Sequence, residues 1–179
     1  MNKPATLPRK VWIETPYRSQ LDNRNNPHGS CNVTAITMAL LRFGKRSKHP
    51  GVQLEDELYE YMEDNRLDRH APEDLAKVVQ TYGCKDVFTY NGNLDMARQA
   101  LANGEILVIH GYFTRWGHII TGVGYDDDQQ VLEVHDPNGE YFAGGYDTRA
   151  NGAYLRYSYN LIQRVAMPDG KLWLHRISA

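Results

Sequence analysis

Two cysteines in 179 residues, Cys31 and Cys84, are too few for a disulfide framework. The fold must rest on a packed core, and a chain of this length can bury one without staples or metals. No apolar run reaches the length of a membrane span, and Met1 to Thr15 has no apolar segment of signal-peptide length. Synthesis in the cytosol is the expectation, with any later release by a route the sequence does not show. Neither sign of charge dominates: 20 Lys and Arg stand against 22 Asp and Glu, for a net charge of −2. That leaves no basic stripe for nucleic acid. Repeats and low-complexity tracts are missing too, so a single domain over 1–179 is expected, with 1–9 a loose arm holding Pro4 and Pro8.

What the chain does have is one strongly apolar helical stretch, from Cys31 to Phe43. Val33, Ala35, Ile36, Met38, Ala39, Leu40, Leu41 and Phe43 cover most of its circumference, which predicts burial on all sides. Gly29 and Ser30 supply a turn and an N-cap candidate, and Gly44 stands where a left-handed C-terminal cap belongs. Cys31 opens this helix. Unpaired backbone N–H groups and the positive end of the helix dipole favour thiolate over thiol there.

Before it lies a long polar loop, Thr15 to Ser30, a length more typical of functional loops than of simple connections. A short strand is expected at Lys10 to Glu14. Further helices are predicted over Leu54–Asp64, Pro72–Tyr82 and Asn93–Ala102, the last two closed by Gly83 and Gly104. The acidic residues Glu55, Asp56, Glu57, Glu60, Glu63 and Asp64 read as a solvated face. Strands are predicted at Asp86–Tyr90, Ile106–His110, Gly117–Tyr125, Val131–Asp136, Ala153–Tyr157 and Lys171–Ile177. Asp126 to Gln130 reads as a solvated hairpin turn, and Pro137 to Gly152 as a Gly-, Asn- and Tyr-rich loop. The segment 137–179 is an extension that completes the sheet. Helices first and an antiparallel sheet after them make the class α+β.

Alternation along a strand puts His118, Ile120, Gly122 and Gly124 on one face. If the turn is symmetric about Asp128, Gly122 pairs with Val134 and Ile120 with Asp136, and His118 and Asp136 lie diagonally on that face. A one-residue slip would move Asp136 to the other side. The two glycines leave space, and the Cys31 helix is the expected occupant. Together the parts make a thiol nucleophile site: Cys31 attacks, His118 moves the proton, and Asp136 orients the imidazole. The Cys31 N–H and a side-chain amide of the polar loop would form the oxyanion hole; Gln20 is the best placed, ahead of Asn23, Asn25 and Asn26. Each residue also has a plain structural reading, and it is their conjunction in this chain order that points to catalysis. A zinc site from Cys84, His110, His118 and His135 matches no usual ligand spacing, and Cys84, directly after Gly83, reads as structural. Tyr141, Tyr146, Tyr154, Tyr157 and Tyr159 read first as packing and second as walls of a substrate groove.

These blocks resemble a known family. Pro16-Tyr17-Arg18-Ser19-Gln20, Cys31-Asn32-Val33-Thr34-Ala35, Gly117-His118-Ile119-Ile120 with Gly122-Val123-Gly124-Tyr125-Asp126, and His135-Asp136-Pro137-Asn138-Gly139 are similar to the bacteriocin-processing (double-glycine leader) type of papain-like cysteine peptidase. The resemblance implies a papain-like α+β fold with Cys31 as nucleophile, His118 as base, Asp136 as orienter and Gln20 as oxyanion donor. It implies no metal and no cofactor. Two departures stand out: Asn32-Val33 replaces the Gly-Pro of many relatives, and no transporter segment accompanies the domain. The stand-alone form also resembles small bacterial and phage proteins that cut cell-wall peptides. The expected activity is therefore peptide or amide hydrolysis, with cell-wall peptides as preferred substrate and release from the cytosol as the way to reach them. The alternatives are an acyltransferase or transpeptidase using the same thioester, and a peptide-binding module without turnover.

Overall fold

Ten consecutive residues, Asn32 to Leu41, are buried in the computed structural model, which describes residues 6–179. They form most of helix α1 (Cys31–Arg42), buried all round as its composition predicts. Its end is a Schellman motif: Gly44 has φ +78°, its N–H donates to Leu41 O, and the Lys45 N–H reaches Leu40 O. Its start is held differently from the simple cap expected of Ser30. The Ser30 hydroxyl caps no backbone N–H. Instead the buried Asn23 amide donates to Ser30 Oγ at 2.8 Å and to Thr34 Oγ1 at 2.9 Å, tying the polar loop to the first turn.

The remaining elements are β1 (Lys10–Trp12), α2 (Leu54–Asp64), α3 (Pro72–Thr81), β2 (Lys85–Gly92), α4 (Leu94–Ala102), β3 (Ile106–Gly111), β4 (His118–Asp126), β5 (Val131–His135), β6 (Glu140–Phe142), β7 (Gly145–Asp147), β8 (Leu155–Ser158), α5 (Tyr159–Ala166) and β9 (Leu172–Ser178). The main sheet runs β2-β9-β3-β4-β5-β8, and β1 pairs with β4 beyond the end of β3. Every pairing is antiparallel. Helices with an antiparallel sheet make the fold α+β, as the element order predicts. Of the expected N-terminal arm, residues 1–5 lie outside the described residues.

The β4–β5 register decides whether the site can assemble. Next to the turn the pairs are Asp126 with Val131, Tyr125 with Leu132 and Gly124 with Glu133, one residue off the symmetric arrangement. A bulge then leaves Val123 unpaired, and the ladder resumes with Gly122 opposite Val134 and Thr121 opposite His135. One extra residue cancels one residue of slip. His118 and Asp136 therefore end up in the relation that symmetry about Asp128 predicts, although the turn itself is not symmetric.

Three expectations are corrected. The glycines of β4 do not admit α1: a Cβ on Gly122 would stand 3.0 Å from Leu107 Cβ, and one on Gly124 would stand 2.3 Å from Val11 O, so they make room for β3 and β1. Contact with α1 runs through Thr121, whose hydroxyl donates to Ala35 O at 3.0 Å. The acidic face of α2 is not solvated in its first turn. Glu55, Asp56 and Glu57 are buried. Glu57 accepts from Tyr82 OH, Ser47 Oγ and the Lys48 N–H, while Asp56 accepts from the Asn25 N–H, because loops fold over the donor-rich helix start. Finally, the segment after Asp136 holds the β6–β7 hairpin and α5. The latter is capped by Ser158, which accepts from the Leu161 N–H, and buries Ile162, Val165 and Ala166.

Candidate active site

Cys31 is half-buried at the N-terminus of α1, on the wall of a cavity of about 530 Å³ that Gln20, Asn32, His118 and Ile119 also line. Loss of water around Sγ disfavours the thiolate. The His118 charge and hydrogen bond, together with the Ile119 and Asn32 backbone donors, outweigh that loss, so the thiol is held below its ordinary range. Cys84 behaves in the opposite way: it is buried behind Gly83, and burial pushes its thiol up.

The partner of Cys31 is fixed from behind. His118 is buried, and its Nε2 lies 2.8 Å from Asp136 Oδ1. That leaves Nδ1 for the thiol. Burial works against the imidazolium, but the charges of Asp136 and Cys31 overcome it and raise His118 to about 10. The balance favours a thiolate–imidazolium pair. Asp136 is itself fully buried, with four donors on its carboxylate. Oδ1 accepts from His118 and from the Asn138 N–H at 3.0 Å; Oδ2 accepts from Tyr146 OH and Tyr157 OH, each at 2.8 Å. Its backbone is pinned as well. The Asp136 N–H donates to Gly152 O at 2.8 Å, and Tyr17 OH donates to Asp136 O at 3.1 Å. A Cβ on Gly152 would stand 1.9 Å from that same oxygen, so the residue there must be glycine.

Gln20 is 2% exposed and belongs to the same wall. Its backbone N–H donates to Pro137 O at 2.8 Å, which joins the polar loop to the residue after Asp136. One N–H of its Nε2 goes to Pro27 O at 3.0 Å, and the second is free of that bond. Asn23 is spent on the start of α1 and Asn25 on α2 and Glu60; neither they nor Asn26 line the cavity.

The tyrosines divide by contact, and none of the five borders the cavity. Tyr146 and Tyr157 serve Asp136, and Tyr146 also meets the His118 ring edge-on at a centroid distance of 5.3 Å. Tyr141 packs on Phe113 and Tyr146, Tyr154 bonds Thr15, and Tyr159 bonds Asp127. Sequence reasoning missed the two carboxylate donors, because a tyrosine that packs and one that donates to a buried acid look alike in a Tyr-rich run. The actual rim is Tyr112, Trp116 and Trp173, which are 65%, 83% and 42% exposed. Tyr112 and Trp116 flank the loop into His118, the only signal that could have found them. The four residues weighed for zinc are dispersed: His135 is held by Thr15 O and the Tyr154 N–H, and His110 faces His175.

The model of the Peptidase_C39 like family matches residues 12–167. The chain belongs to that family. This C39-like chain is a cysteine peptidase, and its α+β architecture is the papain-like fold. Three solved structures carry the same fold. A protein described as a C39-like peptidase from Bacillus anthracis superposes with a TM-score of 0.59 at 13% identity, covering 95% of this chain and 98% of that one. A double-glycine-motif protease from an AMS/PCAT transporter, solved with its leader peptide, gives 0.56 at 14% identity, with 94% and 95% covered. Xylellain, a cysteine protease from Xylella fastidiosa, gives 0.53 at 14% identity, with 97% and 87% covered. No curated protein matches in sequence. Among the described residues of this C39-like peptidase, no helix is long and apolar enough to cross a membrane.

The charge state of the pair fixes the expected pH profile. If this pair is the catalytic one, catalysis needs thiolate and imidazolium together. Activity should rise as pH climbs through the Cys31 value, below the usual thiol pKa of about 8.5, and fall as His118 loses its proton near pH 10. A kcat/KM profile whose acid limb sits at an ordinary thiol pKa would contradict the pair.

Proposed function

We propose that this C39-like peptidase hydrolyses peptide or amide bonds with Cys31 as nucleophile, His118 as base and acid, Asp136 as orienter and Gln20 as oxyanion donor, within one papain-like domain spanning 1–179. The observation that carries the reading is the Cys31 thiol at a helix N-terminus against an imidazole whose far nitrogen is held by a buried, four-donor carboxylate. The thiolate adds to the scissile carbonyl, and the oxyanion meets the Cys31 N–H and Gln20 Nε2. His118 gives its proton to the leaving amine as the C–N bond breaks. It then takes one from water, which attacks the thioester and returns the thiolate. No step needs a cofactor.

Cell-wall peptides are the substrate class we favour. The cleft is open and rimmed by exposed aromatic faces, which suits a short peptide carrying bulky ring-bearing groups. Mass spectrometry of products from a peptide library and from digested cell wall tests this reading. New amide hydrolysis products from the wall digest support it. Cleavage of library peptides alone would move the substrate elsewhere. Amine-capped products in place of acids would mean acyl transfer.

Gln20→Ala should lower kcat with little change in KM, because its free N–H acts on charge that develops in the transition state. One oxyanion donor is worth about 2.7–4 kcal/mol, or about a hundred- to a thousandfold in rate. Full activity in this variant would move the role to another donor of the Thr15–Ser30 loop.

A further inference from the structure

A second acid–imidazole chain reaches the cleft from the far side of the sheet, and the chemistry above does not use it. Asp86 on β2, His175 on β9 and His110 on β3 stand on three adjacent strands. Asp86 Oδ2 lies 2.8 Å from His175 Nδ1, and both side chains are fully buried. His175 Nε2 lies 3.0 Å from His110 Nε2. His110 then lines the cavity that holds Cys31 and His118. It pairs across the sheet with Ile119, the residue whose backbone N–H supports the Cys31 thiolate.

With both rings uncharged, the contact to Asp86 sets the direction of the chain. A carboxylate only accepts, so His175 Nδ1 carries the hydrogen, and in the neutral ring Nε2 is the lone pair. His110 Nε2 must then carry a hydrogen to donate to it, which leaves His110 Nδ1 as a lone pair. Among the described residues nothing donates to that nitrogen, and it is the polar atom of the ring left for whatever enters the cavity. A ring flip would turn a carbon edge toward His175 and forfeit the bond. Phe88, at a centroid distance of 4.6 Å from His175, and Trp173, at 6.2 Å from His110, make the surroundings apolar. Burial drives His110 down to about 3, so it stays neutral at physiological pH and is a poor base. A ring needed only for packing would be cheaper as an apolar side chain.

We propose that His110 is a specificity residue of the cleft, locked by His175 and Asp86 as an uncharged acceptor that takes one N–H of the bound peptide. The inference rests on the peptidase reading above and narrows its substrate. The subsite prefers an amide or amine donor and disfavours a carboxylate, whose lone pairs would meet that of Nδ1.

The test uses the fastest-cleaved peptide of the library. Copies are made in which each backbone N–H except that of the scissile bond is replaced in turn by an ester oxygen, which deletes the donor at nearly constant shape. One replacement should lower kcat/KM about tenfold through KM, and the same replacement should cost nothing in His110→Phe. A flat scan, or an equal loss in both proteins, overturns the inference while leaving the peptidase reading intact. Failure to cleave any peptide overturns both. Because His110→Phe unpairs His175 Nε2 and risks the fold, the unaltered protein supplies a second measurement. Imidazole nitrogen NMR at pH 8 should show His110 bare at Nδ1 and protonated at Nε2; a proton on Nδ1 overturns the inference.

Discussion

Cys31→Ala should reduce peptide cleavage to the uncatalysed level, and His118→Ala should come close to it. In the proposed roles a nucleophile and its base act as one unit, so losing either should cost on the order of a million-fold in kcat, and the double variant should be little worse than either single one. The geometry explains why no neighbour substitutes. Cys84 is buried behind Gly83 with its thiol pushed up. His110 is bonded to His175, and His135 has both ring nitrogens occupied by backbone. Cys31→Ala should still bind peptide, because only the sulfur is lost from the wall. Single-turnover kinetics on the best library peptide, with calorimetric binding to Cys31→Ala, check both statements. Undiminished turnover in Cys31→Ala would overturn the assignment.

Asp136 should separate catalysis from folding. In Asp136→Asn, Tyr146 and Tyr157 still donate to the Oδ2 position, so the side-chain oxygen stays with them and the amide nitrogen turns to His118, at the cost of the Asn138 N–H contact. His118 Nε2 must then accept, and its proton moves to Nδ1, the nitrogen that has to receive the proton of Cys31. The wrong tautomer and the lost charge should slow kcat about a hundred- to ten-thousandfold with the fold intact. With the anion gone, the main influence that raises His118 is gone too, so any residual alkaline limb should move down from about pH 10. Asp136→Ala differs, because it leaves the two tyrosine hydroxyls and the imidazole without their buried partner. A loss of about 3–5 kcal/mol of stability is expected, read as a lowered urea midpoint. Equal stability of the Asn and Ala variants would contradict this division of roles.

The legible parts of the fold were those carried by local pattern. An apolar run ended by Gly44 gave α1, Pro72 and Gly83 bounded α3, and continuous apolar strands gave β3 and β4. Alternation and a turn centre brought His118 and Asp136 to one face, yet the symmetric turn was not the real one. The bulge at Val123 restored the relation, and a bulge leaves little trace in composition. What stayed hidden depends on tertiary partners. The burial of Glu55, Asp56 and Glu57 comes from loops arriving over α2, and the roles of Tyr146 and Tyr157 come from a carboxylate that only the folded chain brings to them. The β6–β7 strands are three residues each, too short for period-2 alternation to register. Helix α5 had a readable signal in Ser158 followed by Ile162, Val165 and Ala166, masked by the aromatic density around it.

The central claim is that His118 holds Cys31 as a thiolate, and the pH dependence of alkylation measures it without a substrate. Iodoacetamide incorporation at Cys31, followed by peptide mass spectrometry from pH 6 to 9, should have its midpoint below the ordinary thiol pKa of about 8.5 in the native protein. In His118→Ala it should fall about tenfold per pH unit below the ordinary thiol pKa of about 8.5. A native profile that falls in the same way, superimposable on that of His118→Ala, would contradict the account.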